Sequence, residues 1–138
     1  MSNKYVIRRK LYKKYNGKCF YCGREVELTY DKPNSAVIEH VIPKSRGGAS
    51  NYSNYVLACS KCNMLKGTLT LKEFYRKLVL LILEAEETIL YYKETCKRIN
   101  KSIDEVKEKI RYYKSILAYA EKRRKTEKNE IESRFKIP

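Results

Sequence analysis

The apolar positions of this chain change period twice. Across residues 4–15, Val6, Ile7, Leu11 and Tyr15 recur at helical spacing inside a basic stretch, which predicts a short helix. Asn16-Gly17 ends it, because both residues tolerate the left-handed backbone found past helix ends. Residues 25–30 alternate enough for a short strand, and Asp31-Lys-Pro33-Asn34-Ser35 is turn material. The β-branched Val37, Ile38, Val41 and Ile42 predict a strand over 36–42 that carries His40 and stops at Pro43. Residues 44–54, rich in Ser, Gly, Asn and Arg, read as a loop. A second short strand follows over 55–58, and Cys59-Ser-Lys-Cys62 turns into a brief helix ending near Gly67.

From Leu71 the texture changes. Leu71, Tyr75, Leu78, Ile82, Ala85, Ile89, Tyr92, Cys96 and Ile99 are spaced alternately by four and three, the seam of a helix packed on a helix. Asn100-Lys101 interrupts it, and Ser102-Ile-Asp-Glu105 fits a capping box opening a new helix. A second seam runs through Ile103, Val106, Ile110, Tyr113, Leu117 and Ala120, and the short connection predicts an antiparallel hairpin. Beyond Ala120 the sequence is mostly charged and is expected to fray. The chain therefore reads as an α+β protein in two parts: a core over residues 1–70 and a helical hairpin over 71–138, an appendage suited to dimerisation or DNA contact.

Four of the five cysteines alter that picture. Cys19-x-x-Cys22 and Cys59-x-x-Cys62 each place two thiolates on one side of a tight turn, and together they complete the tetrahedral shell Zn²⁺ prefers. A thioredoxin-like redox pair leaves the second copy unexplained. An all-sulfur shell has no open position, so this metal is structural. It holds a core too small to bury enough apolar surface without a staple. Cys96 lies on the first helical seam and reads as a small buried apolar residue.

Charge narrows the partners. Lys and Arg number 31 against 16 Asp and Glu, a formal net charge of +15. Four zinc-bound thiolates lower the effective value to about +13, still a strong excess. Residues 1–70 hold 13 basic and 4 acidic residues, whereas the back half alternates signs as a solvated helical surface does. Such a chain attracts polyanions, nucleic acid first among them, with an acidic membrane surface as the alternative. The first ten residues already contain Lys4, Arg8, Arg9 and Lys10, unlike a signal peptide, and the longest apolar run, Leu78 to Leu83, is too short to span a bilayer. The expected setting is intracellular and cytoplasmic, not secreted and without a membrane partner, where metal explains paired cysteines better than disulfides.

His40 is the sole histidine, and alone it says little. Its neighbourhood says more: it follows Glu39, precedes Pro43 and a Gly-rich basic loop, and lies between the halves of the zinc site. Glu39-His40-Val-Ile-Pro43-Lys-Ser45-Arg46-Gly47-Gly48, then Asn54-Tyr-Val-Leu-Ala-Cys59-Ser-Lys-Cys62-Asn63-Met-Leu-Lys66-Gly67, resembles the HNH endonucleases. Cys19-x-x-Cys22-Gly23 is similar to the upstream knuckle of their zinc-containing branch. The resemblance covers roughly residues 4–68. It implies a ββα-metal fold with His40 on the first strand as general base and Asn63 on the helix. It also implies that Asn54 orients the histidine and that Glu39 and Asn63 bind the catalytic ion.

Glu39 stands where Asp is usual, and Asn63 where many members have a final histidine. Two oxygen donors suit hard Mg²⁺ or Mn²⁺ better than Zn²⁺. A neutral imidazole can take a proton from water, and the ion neutralises charge at the scissile phosphate. By the resemblance the products carry 5′-phosphate and 3′-hydroxyl ends. Lys44, Arg46, Lys61 and Lys66 flank the site and are expected to grip DNA phosphates. One alternative is a zinc-stapled nucleic-acid-binding module without cleavage. The other, a coiled-coil scaffold capped by zinc, leaves His40, Asn54 and Asn63 unexplained. Target sequence, nicking against double-strand cleavage, and service to a mobile element, phage or restriction system all stay open.

Overall fold

The computed structural model describes residues 2–95 and 100–126. Helix α1 (Asn3–Lys14) is followed by strands β1 (Ala36–His40) and β2 (Tyr55–Cys59), then helices α2 (Ser60–Lys66), α3 (Leu71–Thr95) and α4 (Asn100–Thr126). The class is α+β, as the period changes predict. Ser2 caps α1 by accepting a hydrogen bond from the Tyr5 amide at 3.4 Å. Asn16 and Gly17 leave the helix at φ 51° and 66°, the left-handed turn both residues tolerate.

The two strands pair antiparallel, with His40 opposite Tyr55 and Ala36 opposite Cys59. Strand β1 stops at His40 instead of reaching Ile42. The Val41 amide donates to the backbone carbonyl of Asn54 (3.0 Å), and the Ile42 amide to the Asn54 side chain (2.9 Å), so the ladder gives way to a side-chain clamp. The strand expected over 25–30 does not form. Two isolated bridges, Lys18 with Glu25 and Glu27 with Ser35, replace it. Of its apolar side chains Val26 is buried, but Leu28 is half-exposed and Tyr30 open to solvent, so no continuous apolar face holds it against a partner. The loop over 44–54 contains two single 3₁₀ turns, Lys44–Arg46 and Tyr52–Asn54.

The hairpin forms and is antiparallel: Arg123 meets the Tyr75 hydroxyl at 3.2 Å, and Lys114 meets Glu86 at 3.3 Å. Leu71, Leu78, Ile82, Ile103, Ile110 and Ala120 are buried along the predicted seams. Phe74 and Ile116 lie off those seams and are fully buried, because they face the N-terminal core and join Leu11, Phe20, Tyr21 and Leu57 in one apolar cluster. Helix α4 begins at Asn100, so Ser102 sits within its first turn and is not the helix start. It also continues to Thr126 and does not fray after Ala120. Arg123 is buried there, with its guanidinium 3.8 Å from the centre of the Phe20 ring. Cys96 and Ile99 lie outside the described residues.

Candidate functional site

The first cysteine knuckle is a closed turn: the Cys19 amide donates to Arg24 O at 2.8 Å and the Gly23 amide to Cys19 O at 2.9 Å. The Phe20 amide donates to Leu57 O at 2.8 Å, which sets this knuckle beside the end of β2, where Cys59 leads into α2. The four sulfurs of Cys19, Cys22, Cys59 and Cys62 thereby lie within 4.8 Å of one another, and the Cys22 and Cys59 sulfurs are 3.9 Å apart. A tetrahedron with Zn–S bonds of about 2.3 Å has edges of roughly 3.8 Å. Geometry and donor chemistry both fit zinc, and the cluster is a candidate zinc site. The cysteines also divide their protons unevenly. Hydrogen bonding from Cys19 pushes Cys22 and Cys59 toward thiolate, whereas burial raises Cys19, and hydrogen bonding with Cys19 raises Cys62. A dication at their centre stabilises four thiolates together, which unassisted sulfurs cannot be.

Helix α4 reaches this cluster. The Tyr112 hydroxyl lies 3.2 Å from the Cys62 sulfur, and Lys61 places its ammonium 3.7 Å from the centre of the Tyr112 ring. The Tyr119 ring packs over Gly23, which has φ 74° and where an added Cβ would come within 2.8 Å of the ring.

At the far end of β1 the carboxylate, the imidazole and the clamp come together. Glu39 is 3% exposed; its Oε1 accepts from the Lys66 ammonium at 3.1 Å, and its Oε2 is buried with no hydrogen-bond partner. Burial lifts its carboxyl to about 7, with Lys66 pulling the other way. His40 Nε2 is likewise buried without a partner, and the ring meets Tyr55 edge-on at 4.8 Å. Burial, then the charges of Lys44 and Lys66, hold the imidazole below its ordinary pKa of 6.5, which keeps it neutral near physiological pH.

Asn54 is buried, and its bonds go to backbone, not to the imidazole. Its Oδ1 accepts from the Ile42 amide, while Nδ2 donates to Ile42 O at 2.9 Å and to Ala49 O at 3.0 Å. It shapes the loop leaving His40. Asn63 is half-buried on α2, three residues before Lys66 and hence on the same helical face, about one turn from the point where that face touches Glu39.

The four cations expected around the site are not one phosphate-binding cluster. Lys44 is exposed and shares a groove with His40. Arg46 is paired with Glu73 of α3, and Lys61 lies over Tyr112 of α4, so both join the core to the hairpin. Lys66 corrects the expectation outright: it is 1% exposed, and its ammonium neutralises Glu39 instead of facing solvent. Two arginines, Arg8 and Arg123, are buried. The run Lys122-Arg-Arg-Lys125 reads from sequence as a solvated charge run that could touch DNA backbone, and nothing local marks either arginine as inward-facing.

A two-strand-and-helix module is closed by a cysteine cluster and presents carboxylate, imidazole and amide groups near one strand end. Residues 19–69 match the family model for HNH endonuclease. The matched family is one of nucleic-acid-cleaving enzymes. Among solved structures, the Type II-C Cas9 enzyme from Actinomyces naeslundii is similar at 17% identity and a TM-score of 0.49, covering 82% of this chain and 13% of that one. This chain thus corresponds to a small part of that protein's length. Among the described residues no helix is long and apolar enough to cross a membrane.

Proposed function

We propose that this chain is a DNA endonuclease in which His40 is the general base and Glu39 with Asn63 holds one Mg²⁺ or Mn²⁺. The observation that carries the reading is that Glu39 Oε2 and His40 Nε2, on successive residues at the end of β1, are both buried without a hydrogen-bond partner. Buried polar atoms are ordinarily satisfied, and an unsatisfied pair on successive residues is what a cation and a reacting water would complete. The amide of Asn63 makes no side-chain hydrogen bond among the described residues, which leaves its oxygen free to ligate. Lys66 occupies only Oε1, so the carboxylate keeps one oxygen for an ion.

His40 Nε2 takes a proton from a water molecule, whose oxygen attacks phosphorus. The bond from phosphorus to the 3′ oxygen breaks, and that oxygen takes a proton from solvent, leaving 5′-phosphate and 3′-hydroxyl ends. A divalent ion held by Glu39 and Asn63 would supply charge neutralisation for this step. Asn54 acts at one remove, by pinning Ile42 and Ala49 so that the turn after His40 keeps its shape. Lys44 is the cation placed to meet a phosphate beside His40, while Arg46 and Lys61 contribute at the margin.

In this reading the zinc bound by the four cysteines is structural, nuclease function resides in residues 1–70, and residues 71–138 are the buttressing appendage. Four unbridged cysteines converging on one point accord with a reducing, intracellular setting. A homodimer through the C-terminal helices is supported by Leu80, Leu83 and Leu90, each more than half exposed on α3. Light scattering at rising concentration tests it; a monomer throughout excludes it.

The cleavage test is a supercoiled plasmid incubated with purified protein and Mg²⁺ or Mn²⁺, with His40→Ala alongside. Nicking by the wild type alone is expected. Nicking that survives His40→Ala overturns the assigned base. Retained DNA binding with no nicking under any divalent ion favours the binding module instead.

A further inference from the structure

A groove of about 620 Å³ runs along β1, between the first turns of α1 and the turn at residues 29–31. His40, Lys44 and Tyr55 lie at one end. Arg8 marks the other, donating from Nε to Ala36 O at 2.7 Å and from its terminal nitrogen to Thr29 O. Ala36 and His40 are four residue steps apart on an extended strand, about 13 Å. The groove is therefore longer than one phosphate needs and leads directly away from the imidazole.

Tyr30 stands at its mouth. The residue is 71% exposed, yet one face of its ring is backed by the Arg8 guanidinium, 4.5 Å from the ring centre. Arg8 itself is only 7% exposed, and burying a cation is costly unless its donors are satisfied. Tying α1 to β1 and to the turn at residues 29–31 explains the two carbonyl bonds, but not why the same guanidinium supports a large aromatic ring that points into solvent. A ring backed on one side and open on the other is a platform for a nucleobase. The charged walls agree: Lys4, Arg8 and Lys44 face a single carboxylate, Asp31.

We propose that this groove holds a single-stranded stretch of DNA leading into the His40 site, with Tyr30 stacking a base and Lys4 and Lys44 contacting phosphates. A base reaches Tyr30 only when unpaired and splayed from its neighbours, so the groove selects unwound over duplex DNA. The inference deepens the nuclease reading and rests on it for the groove's role, but its test reads binding alone.

The full chain is titrated, without added Mg²⁺ or Mn²⁺, against a fluorescent single-stranded oligonucleotide and the matched blunt duplex, reading anisotropy. Tyr30→Ala is expected to weaken single-strand binding roughly tenfold, with Tyr30→Phe close to wild type and duplex binding unchanged. Lys4→Gln is expected to reduce the salt dependence of single-strand binding by roughly 0.7 in log–log slope. Unaltered single-strand binding in Tyr30→Ala overturns the proposal. So does an equal loss on single strand and duplex, or equal competition by an acidic peptide such as polyglutamate. Tyr30-dependent binding in a protein that nicks no plasmid supports the groove while the nuclease reading fails. Nicking intact beside Tyr30-independent binding does the reverse.

Discussion

The ammonium of Lys66, fully buried on α2, lies 3.1 Å from Oε1 of Glu39 on β1, and this pair joins the helix to the strand that carries His40. Lys66 also reaches the His40 carbonyl at 3.4 Å. Burial favours the protonated carboxyl, and Lys66 beside it pulls the other way, toward the charge that a bound ion would need.

Replacing Lys66 by Met leaves Glu39 buried and uncompensated. Its folded carboxyl, already raised from 4.5 to about 7 by burial, then rises further. A carboxyl raised by folding contributes stability that is full below its unfolded pKa and lost as pH climbs through its folded value. Lys66→Met is therefore expected to cost roughly 3 kcal/mol at pH 8 and much less at pH 5. Urea unfolding of both proteins at the two pH values measures this; an equal penalty at each contradicts it.

The depressed pKa of His40 predicts the acid limb of cleavage. Initial nicking rates should fall as pH drops through a midpoint below 6.5, where the imidazole protonates. Lys44→Met removes one of the charges that lower it, so the midpoint should move up. A limb that ignores Lys44→Met argues against His40 as the titrating base.

Asn54→Ala removes three hydrogen bonds and strands the Ile42 amide and the Ile42 and Ala49 carbonyls. Thermal or urea unfolding should show a loss of roughly 2–4 kcal/mol. Gly48→Ala attacks the same turn from the other side: a Cβ there would sit 1.8 Å from Ile42 O, so the backbone must move. Cleavage is expected to fall by at least about tenfold in both variants even under conditions where both are fully folded.

Metal analysis should find one zinc per chain, and chelation should abolish the cooperative unfolding transition. Because Tyr112 lies 3.2 Å from the Cys62 sulfur, tyrosine signals in the near-ultraviolet circular dichroism should collapse with the metal. Tyr112→Phe keeps the zinc but lowers stability by about 1 kcal/mol. Zinc loss that leaves the tyrosine spectrum intact separates the hairpin from the cluster.

Helices α1, α2 and α3 and both strands were legible because each is written in local periodicity. The cysteine knuckles were legible too, since two thiolates on one tight turn is a property of four adjacent residues. Glu39, His40, Asn54 and Asn63 stood out through their resemblance to the HNH endonuclease motif. What Asn54 does was not readable, because its bonds depend on where Ile42 and Ala49 come to rest. The strand expected over 25–30 failed for a similar reason: alternation supplies a pattern, but Leu28 and Tyr30 found no apolar partner to cover them.

The cations mark the boundary most sharply. Charge count and clustering made the front half attractive to a polyanion, and that needs no fold, since Coulomb attraction depends on composition and rough proximity. Which cation faces outward is another matter. Lys66 and Glu39 are 27 residues apart, and Arg8 and Ala36 are 28 apart, so their pairing exists only once the sheet and helices have closed. Identity and local spacing along the chain establish the elements and the zinc ligands, because those interactions span a few bonds. Burial is set by the packed whole, and it alone turns Lys66 inward to Glu39, holds Arg8 behind Tyr30 and leaves Lys44 beside His40.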